Sequence, residues 1–157
     1  MPRDVPWRGI AAVGALAAVA LLVVALIARG RPVPDGPAEV AWNRQPCAHC
    51  RMLVGEPPHA AQLVTRGGDV LFFDDPGCLV RYRQAHAPEV HRLWFHDSTS
   101  DRWLSAAEVG FVSGATTPMG YGLAAVPAQT PGAIGLDAAS ARLAGDDVSE
   151  RAHGGHP

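Results

Sequence analysis

Two cysteines and a methionine stand close together in the segment Cys47-Ala-His-Cys50-Arg-Met52. The two-residue gap between the cysteines lets both thiols reach one ion, and Met52 adds a thioether two positions further on. Thiolates and thioethers are soft ligands, which copper(I) prefers. The segment therefore predicts a copper(I) site with Cys47, Cys50 and Met52 as candidate ligands.

Paired cysteines also occur in structural zinc sites. A structural zinc site rarely includes a thioether ligand, and it needs four Cys or His ligands. The sequence offers one such set, made of three cysteines and one histidine: Cys47, Cys50 and Cys78 with His49 or His59. A zinc-stabilised interaction domain is therefore an alternative.

Thiol–disulfide exchange is a second alternative, because a C-x-x-C pair also serves oxidoreductases. The attacking cysteine of those enzymes often lies at a helix N-terminus. Here Gly55-Glu56-Pro57-Pro58 follows Cys50 closely and leaves little room for that helix. Attachment of c-type haem requires a histidine directly after the second cysteine, where Arg51 stands, so haem is excluded.

The other sulfur-containing side chains lie further along the chain. Met119 falls in the turn-rich segment 114–122, where a large apolar side chain has little core to enter, so it is either a ligand or a surface residue. Cys78 lies beside Leu79 and Val80 on a predicted helix, which favours a buried small hydrophobic residue. With three cysteines in total, complete disulfide pairing within one chain is impossible.

Other kinds of function find little support in the composition. A net charge of −2 gives no basic surface for a nucleic acid. All 13 basic residues are arginines, which excludes a lysine nucleophile. Asp74-Asp75 could act as an acid–base pair, but helix capping by Asp75 is the simpler interpretation. Phosphate-loop, nucleophile-elbow and H-E-x-x-H motifs are missing, so we predict that the protein is not an enzyme.

The surrounding sequence predicts the elements that must position these residues. Residues 59–65 and 70–74 are expected to form a hairpin around Arg66-Gly67-Gly68-Asp69. Asp75-Pro76 is typical of a helix start, and this helix should run to about Ala87 and end before Pro88. Strands are expected at 91–97, 102–104 and 123–126, and short helices at 105–108 and 137–144, the latter ending at Gly145. The fold class is therefore α+β.

The N-terminal part has the character of a membrane anchor. Residues 9–28 are uncharged, and a helix of about 20 residues spans about 30 Å, the thickness of a hydrocarbon core. The run is longer than the usual apolar region of a cleavable signal peptide, and its end is a poor cleavage site, so an anchor is favoured and a long cleavable signal peptide is the alternative. We therefore predict a stub at 1–8, an uncleaved anchor at 9–28, a Pro-rich linker at 29–41, a metal-binding domain at 42–145 and a flexible tail at 146–157.

Three motifs together resemble the NosL family, copper chaperones that accompany assembly of nitrous oxide reductase in denitrification. The first is the Cys47–Met52 segment, which is similar to the family's cysteine-x-methionine motif. The second is Phe73-Asp74-Asp75-Pro76-Gly77-Cys78, and the third is Thr117-Pro118-Met119-Gly120-Tyr121-Gly122-Leu123-Ala124-Ala125. Their order and spacing cover about residues 42–126.

The resemblance implies a copper(I) ion held by Cys50, Met52 and Met119, with Cys47 as a further candidate ligand. It implies delivery through an ABC-type transporter to nitrous oxide reductase, with the domain facing the periplasm or cell exterior. It also implies two ββαβ units, with the metal site in the non-repeated parts. Only GDDVSERAHGGHP follows the last predicted helix, so the second unit is expected to be incomplete.

Overall fold

The computed structural model of the protein describes residue 13 and residues 16–24 and 33–153, with the backbone alone over 146–153. The chain divides into two units, Met1–Pro32 and Val33–Pro157. In the first unit, residues 16–24 are helical. Across the described residues, no helix combines the length and the apolar character that crossing a membrane requires. The anchor predicted at 9–28 includes residues outside the described ones and stays a prediction.

The second unit is an α+β domain, as predicted. A short 3-10 helix, Pro57–His59, precedes the first strand. The elements then follow in this order: β1 (Ala61–Thr65), β2 (Val70–Phe73), α1 (Pro76–His86), β3 (Val90–His96), β4 (Trp103–Ser105), β5 (Val109–Ser113), β6 (Leu123–Pro127) and α2 (Leu136–His153). The order β1-β2-α1-β3 confirms the first predicted ββαβ unit.

The larger sheet has the strand order β2-β1-β3-β4 and is antiparallel throughout. Its central strand β1 is buried from Ala61 to Val64. Leu63 of β1 lies opposite Leu93 of β3, and Phe95, two residues further along β3, is buried on the same face. Side chains two residues apart in a strand point to the same face, so Leu93 and Phe95 mark the face of the sheet that packs on the core.

Helix α1 begins and ends where the sequence predicts. Asp75 is the N-cap residue, and its Oδ1 accepts the N–H of Gly77 at 2.7 Å. Pro76 occupies the first turn, where its missing N–H costs no hydrogen bond. At the other end Ala87 adopts a left-handed conformation and its N–H bonds to Arg83, which ends the helix before Pro88.

The smaller sheet pairs β5 with β6, and helix α2 packs on β5. The two sheets share a core, because the rings of Phe95 in β3 and Phe111 in β5 meet edge to face with centroids 5.1 Å apart. Strands β5 and β6 with α2 repeat the ββα order of the first unit. In the described part of the chain no strand follows α2.

Two predicted helices differ from the structure. Residues 106–108 form a turn that connects β4 of the larger sheet to β5 of the smaller one, although the capping contacts form and Ser105 Oγ donates to Glu108 at 2.6 Å. The chain enters β5 at Val109, which pairs with Pro127, so no residues remain for a helix after the turn. Helix α2 also continues past Gly145 to His153, since one glycine costs a helix only about 1 kcal/mol. Flexibility of the tail at 146–157 stays a prediction.

A buried glutamine attaches the segment before the domain to the central strand. The side chain of Gln62 in β1 is fully buried. Its Oε1 accepts the N–H of Ala38 and its Nε2 donates to the Ala38 carbonyl, both at 2.8 Å. This paired contact fixes the chain just before it enters the loop that carries the first cysteines.

Candidate metal centre

The segment 47–52, here called the thiol turn, closes on itself through its backbone. The N–H of Cys47 donates to the carbonyl of Met52 at 2.7 Å, and the N–H of Arg51 donates to the carbonyl of Cys47 at 3.2 Å. Arg51 has φ +69, a left-handed conformation that non-glycine residues rarely adopt. The reversal at Arg51 brings Met52 back beside Cys47.

Backbone N–H groups surround the sulfur atoms of the thiol turn. The sulfur of Cys47 accepts hydrogen bonds from the N–H groups of Asp74, Cys50 and His49, and the sulfur of Cys50 accepts one from Met52. Donors of this kind stabilise a thiolate over a thiol. The turn is therefore built to hold negative charge on sulfur.

The thiol turn is attached to the larger sheet. The N–H of Ala48 donates to the carbonyl of Phe72 in β2 at 2.8 Å, and Pro46 pairs with Leu53 in an isolated β-bridge. These contacts place Cys47 over the connection from β2 to α1, where Asp74 donates its N–H to the Cys47 sulfur.

Cys78 completes the group of thiols. It lies in the first turn of α1 and is fully buried. The sulfur atoms of Cys47, Cys50 and Cys78 all lie within 4.8 Å of one another, and all three cysteines are free. We call these three residues the thiol cluster. No histidine nitrogen or carboxylate oxygen in the described part of the chain joins it.

The thiols differ in acidity because they bond to one another. The hydrogen bond from Cys78 lowers the pKa of Cys47, and the three backbone N–H groups act in the same direction against burial. The same bond to Cys47 raises the pKa of Cys78, and burial adds to this effect. Burial raises the pKa of Cys50. These effects favour a thiolate on Cys47 over one on Cys50 or Cys78.

The loop that carries Met119 packs against the N-terminus of α1. The N–H of Met119 donates to Asp75 Oδ2 at 3.1 Å, so this carboxylate caps the helix and holds the loop together. Gly77 lies directly against the ring of Tyr121, with no room for a Cβ. The Met119 loop is therefore fixed to the same helix turn that carries Cys78.

The two neighbouring carboxylates have structural partners. Asp75 is fully buried and accepts two backbone N–H groups, and Asp74 accepts the N–H of Gly55 at 3.2 Å. Burial raises the pKa of Asp74. These contacts agree with the capping interpretation and give no geometry for acid–base catalysis.

The structure brings together Cys47 and Cys50, two of the four residues that the sequence predicts as ligands. Met52 is 52 % exposed at the rim of the thiol turn, and Met119 is half-buried in its loop. Coordination by either thioether stays a prediction. Cys78 is buried, as the sequence indicates, but it also belongs to the thiol cluster. Among the alternatives that the sequence leaves open, the zinc site is the one that includes Cys78 as a ligand.

The sequence matches no protein-family model, and a search of curated proteins finds no match. Among solved structures, the chain is similar to the crystal structure of the copper chaperone NosL from Shewanella denitrificans, with a TM-score of 0.48 and 19% sequence identity. The similarity covers 72% of this chain and 89% of that chain. A functional assignment for this chain therefore depends on its own thiol cluster and motifs.

Proposed function

We propose that this protein is a non-enzymatic copper(I) carrier that binds the ion at the thiol cluster and passes it to a partner. The observation that carries the proposal is the approach of three free thiols to within 4.8 Å of one another. An ion bound to three sulfurs at about 2.3 Å would hold them about 4 Å apart, so only a small inward movement is needed. Thiolates are the ligands that a soft metal ion prefers.

Copper(I) fits the cluster better than zinc does. A structural zinc site needs four ligands, whereas the described residues bring together three thiols without an imidazole. His59, one of the two candidates for the fourth ligand, lies instead 3.8 Å from Glu56. Copper(I) accepts lower coordination numbers, so three sulfurs satisfy it.

The exposure of the thiols argues against the oxidoreductase alternative. Thiol exchange requires an accessible thiolate. In this cluster Cys47 has the lowered pKa but is fully buried, whereas burial raises the pKa of the more accessible Cys50. This is the reverse of the arrangement that an attacking cysteine needs.

The wider role follows from the resemblance of the three motifs to the NosL family. We propose that the protein serves maturation of nitrous oxide reductase, receives or delivers copper through an ABC-type transporter, and is tethered to the cell membrane by residues 9–28. The metal-binding domain would then face the periplasm or cell exterior. Met52 and Met119 are the proposed thioether ligands, since both belong to the matching motifs.

The test uses the full-length chain, purified without oxygen in a mild detergent. Copper(I) and zinc(II) are each titrated against a competing chromophoric chelator, and release of copper(I) to excess chelator is timed. We expect tight copper(I) binding, weaker zinc(II) binding and a loss of copper affinity of about 100-fold in Cys50→Ser. Met52→Leu and Met119→Leu should alter affinity or the rate of release.

Leu53→Ser is the matched control, because Leu53 is 51% exposed in the same loop and carries no sulfur. It should bind copper(I) like the wild type. Tight zinc(II) with weak copper(I) would replace the proposal with a zinc-stabilised domain, and turnover of a disulfide substrate would replace it with an oxidoreductase. Unchanged affinity and unchanged release in both methionine variants would remove the thioethers from the site.

A further inference from the structure

The sulfur atoms available to an ion lie at different depths in this domain. Cys47 and Cys78 are fully buried, Cys50 is partly exposed, and Met52 is 52% exposed. The exposure of Cys50 is thus intermediate between that of the two buried thiols and that of the Met52 thioether. This gradient means that one ion could have two different sets of neighbours without leaving the site.

We propose that the thiol cluster gives copper(I) two positions that share Cys50. In the inner position, the ion is held by Cys47, Cys50 and Cys78. In the outer position, it is held by Cys50 with the thioethers of Met52 and Met119. This inference rests on the proposed function and assigns Cys78 as the ligand that retains the ion.

The inner position is stabilised by groups already present around it. Three thiolates and one copper(I) carry a net charge of −2, and a buried charge is costly unless polar groups compensate it. Three backbone N–H groups point at the sulfur of Cys47. Cys78 lies in the first turn of an 11-residue helix, where the helix dipole favours negative charge. These donors are fixed by the fold and need no rearrangement when the ion arrives.

The outer position is suited to exchange. One thiolate and two neutral thioethers balance the charge of copper(I), but they bind it less strongly than three thiolates do. Movement between the positions involves no change in oxidation state. Loading of the outer position releases the S–H proton of Cys50 to solvent, movement to the inner position releases that of Cys78, and return to the outer position lets Cys78 take up a proton again.

Selenium labelling distinguishes the two positions directly. The chain has three methionines, so growth on selenomethionine marks both candidate thioethers. X-ray absorption at the copper edge is then measured on the full-length chain loaded with one copper(I). We expect three sulfur neighbours at about 2.3 Å and no selenium in the wild type. In Cys78→Ser, we expect a selenium neighbour, because the ion then occupies the outer position.

The rate of copper(I) release should change in opposite directions in the two kinds of variant, whereas affinity should fall clearly only in Cys78→Ser. Cys78→Ser should lower copper(I) affinity by about 100-fold and speed its release to a chelator. Met52→Leu and Met119→Leu should keep affinity within about threefold and slow release, since in these variants the ion loses a ligand only on its way out. Val80→Thr, a polar change at another buried position of α1, controls for the effect of a hydroxyl in the core.

A selenium neighbour in the wild type, or unchanged affinity in a folded Cys78→Ser, would overturn the two-position scheme while leaving the copper carrier intact. Methionine variants that lose as much affinity as Cys78→Ser would also overturn it, because they would indicate one mixed site. Failure of the wild type to bind copper(I) would instead overturn the proposed function. If Cys78→Ser does not fold, the wild-type spectrum still tests the inner position, and the release rates of the methionine variants test the outer one.

Discussion

Asp75 Oδ2 accepts the backbone N–H of Met119 at 3.1 Å, across 44 positions of the sequence. The other oxygen of the same carboxylate caps helix α1 through Gly77. One buried side chain therefore joins the helix that carries Cys78 to the loop that carries the distant methionine. The position of Met119 relative to the thiol cluster depends on this contact.

Asp75→Asn should release the Met119 loop while keeping the helix cap. The amide oxygen can still accept from Gly77, but the amide NH₂ would face the N–H of Met119, which leaves buried donors without an acceptor. Such a change costs about 1–3 kcal/mol of unfolding free energy. Chemical denaturation measures the loss, and faster hydrogen exchange at the Met119 amide locates it.

The control for this variant is Asp137→Asn, since Asp137 is an exposed carboxylate in the first turn of α2. Its charge lies where the helix dipole favours it, so the change should cost no more than about 0.3–1 kcal/mol. Equal stability losses in the two variants, with unchanged exchange at Met119, would contradict the bridging role of Asp75.

Local sequence signals account for most of the first ββαβ unit. The hairpin turn at 66–69 and the Asp75-Pro76 helix start act within a few residues, so they can be recognised without knowing the rest of the fold. The same locality explains the error at Ser105–Glu108. The capping contacts form there, but the pairing of Val109 with Pro127 in the second sheet, which the local pattern does not reveal, limits the segment to a single turn.

The candidate site was predictable only in part for a related physical reason. Cys47 and Cys50 share a turn, so their spacing already indicates that both can reach one ion. Cys78 approaches them only because α1 packs below the thiol turn, and a helical cysteine beside Leu79 and Val80 is equally typical of a core residue. Contacts between distant segments decide its role, and a single sequence does not contain them.

Gly77→Ala should destabilise the domain although alanine is the better helix former. A Cβ at this position would overlap the ring of Tyr121, so the Met119 loop or the helix must move. Overpacking of this kind costs about 1–3 kcal/mol. The double variant with Tyr121→Ala should lose less than the sum of the two single changes. Thermal and chemical denaturation of the three variants measure this coupling.

Gly145→Ala provides the opposite result on the other helix. Nothing lies within 4 Å of a Cβ built there, so helix propensity decides and the variant should gain up to about 1 kcal/mol. A gain in Gly77→Ala of similar size would mean that the Tyr121 contact does not constrain the loop.

Asp97 should make stability depend on acid pH. Burial raises its pKa, but hydrogen bonds from Thr99, Ser100 and Arg102 outweigh this effect and lower the pKa to about 2. Because the folded-state pKa lies below the unfolded value of about 3.9, the carboxylate stabilises the fold above about pH 4. About 2 kcal/mol of this stability should disappear as the pH falls from about 4 to about 2.

Asp97→Asn should flatten that part of the profile, and urea denaturation at a series of pH values measures it. Ser100→Ala, which removes one of the donors to Asp97, should reduce the slope only in part. A mutant profile parallel to that of the wild type below pH 4 would show that another group causes the acid sensitivity.

Gln62→Met should detach the segment before the domain from β1. The variant keeps the volume of a fully buried side chain but removes both hydrogen bonds to Ala38. Loss of partners for both backbone groups should cost about 1–3 kcal/mol and speed hydrogen exchange at the Ala38 amide. In Gln84→Met, which removes one exposed bond to Ser140, stability should stay within about 0.5 kcal/mol of the wild type.

Arg51→Gly should leave the thiol turn as stable as it is now, or make it more stable. A left-handed conformation costs a non-glycine residue about 1–2 kcal/mol, and glycine avoids this cost while adding about 0.5–1 kcal/mol of unfolded-state entropy. Arg44→Gly, an exposed position in the same loop with negative φ, has no strain to relieve and should lose stability.

Arg51→Val should increase the backbone strain at the same left-handed position. A β-branched residue tolerates the left-handed region least, so the turn should open and separate Met52 from Cys47. Unfolding free energy and copper(I) affinity should then fall together, whereas Arg51→Gly should retain both. If Arg51→Val bound copper(I) as tightly as the wild type, the left-handed turn could not be what arranges Cys50 and Met52 around the ion.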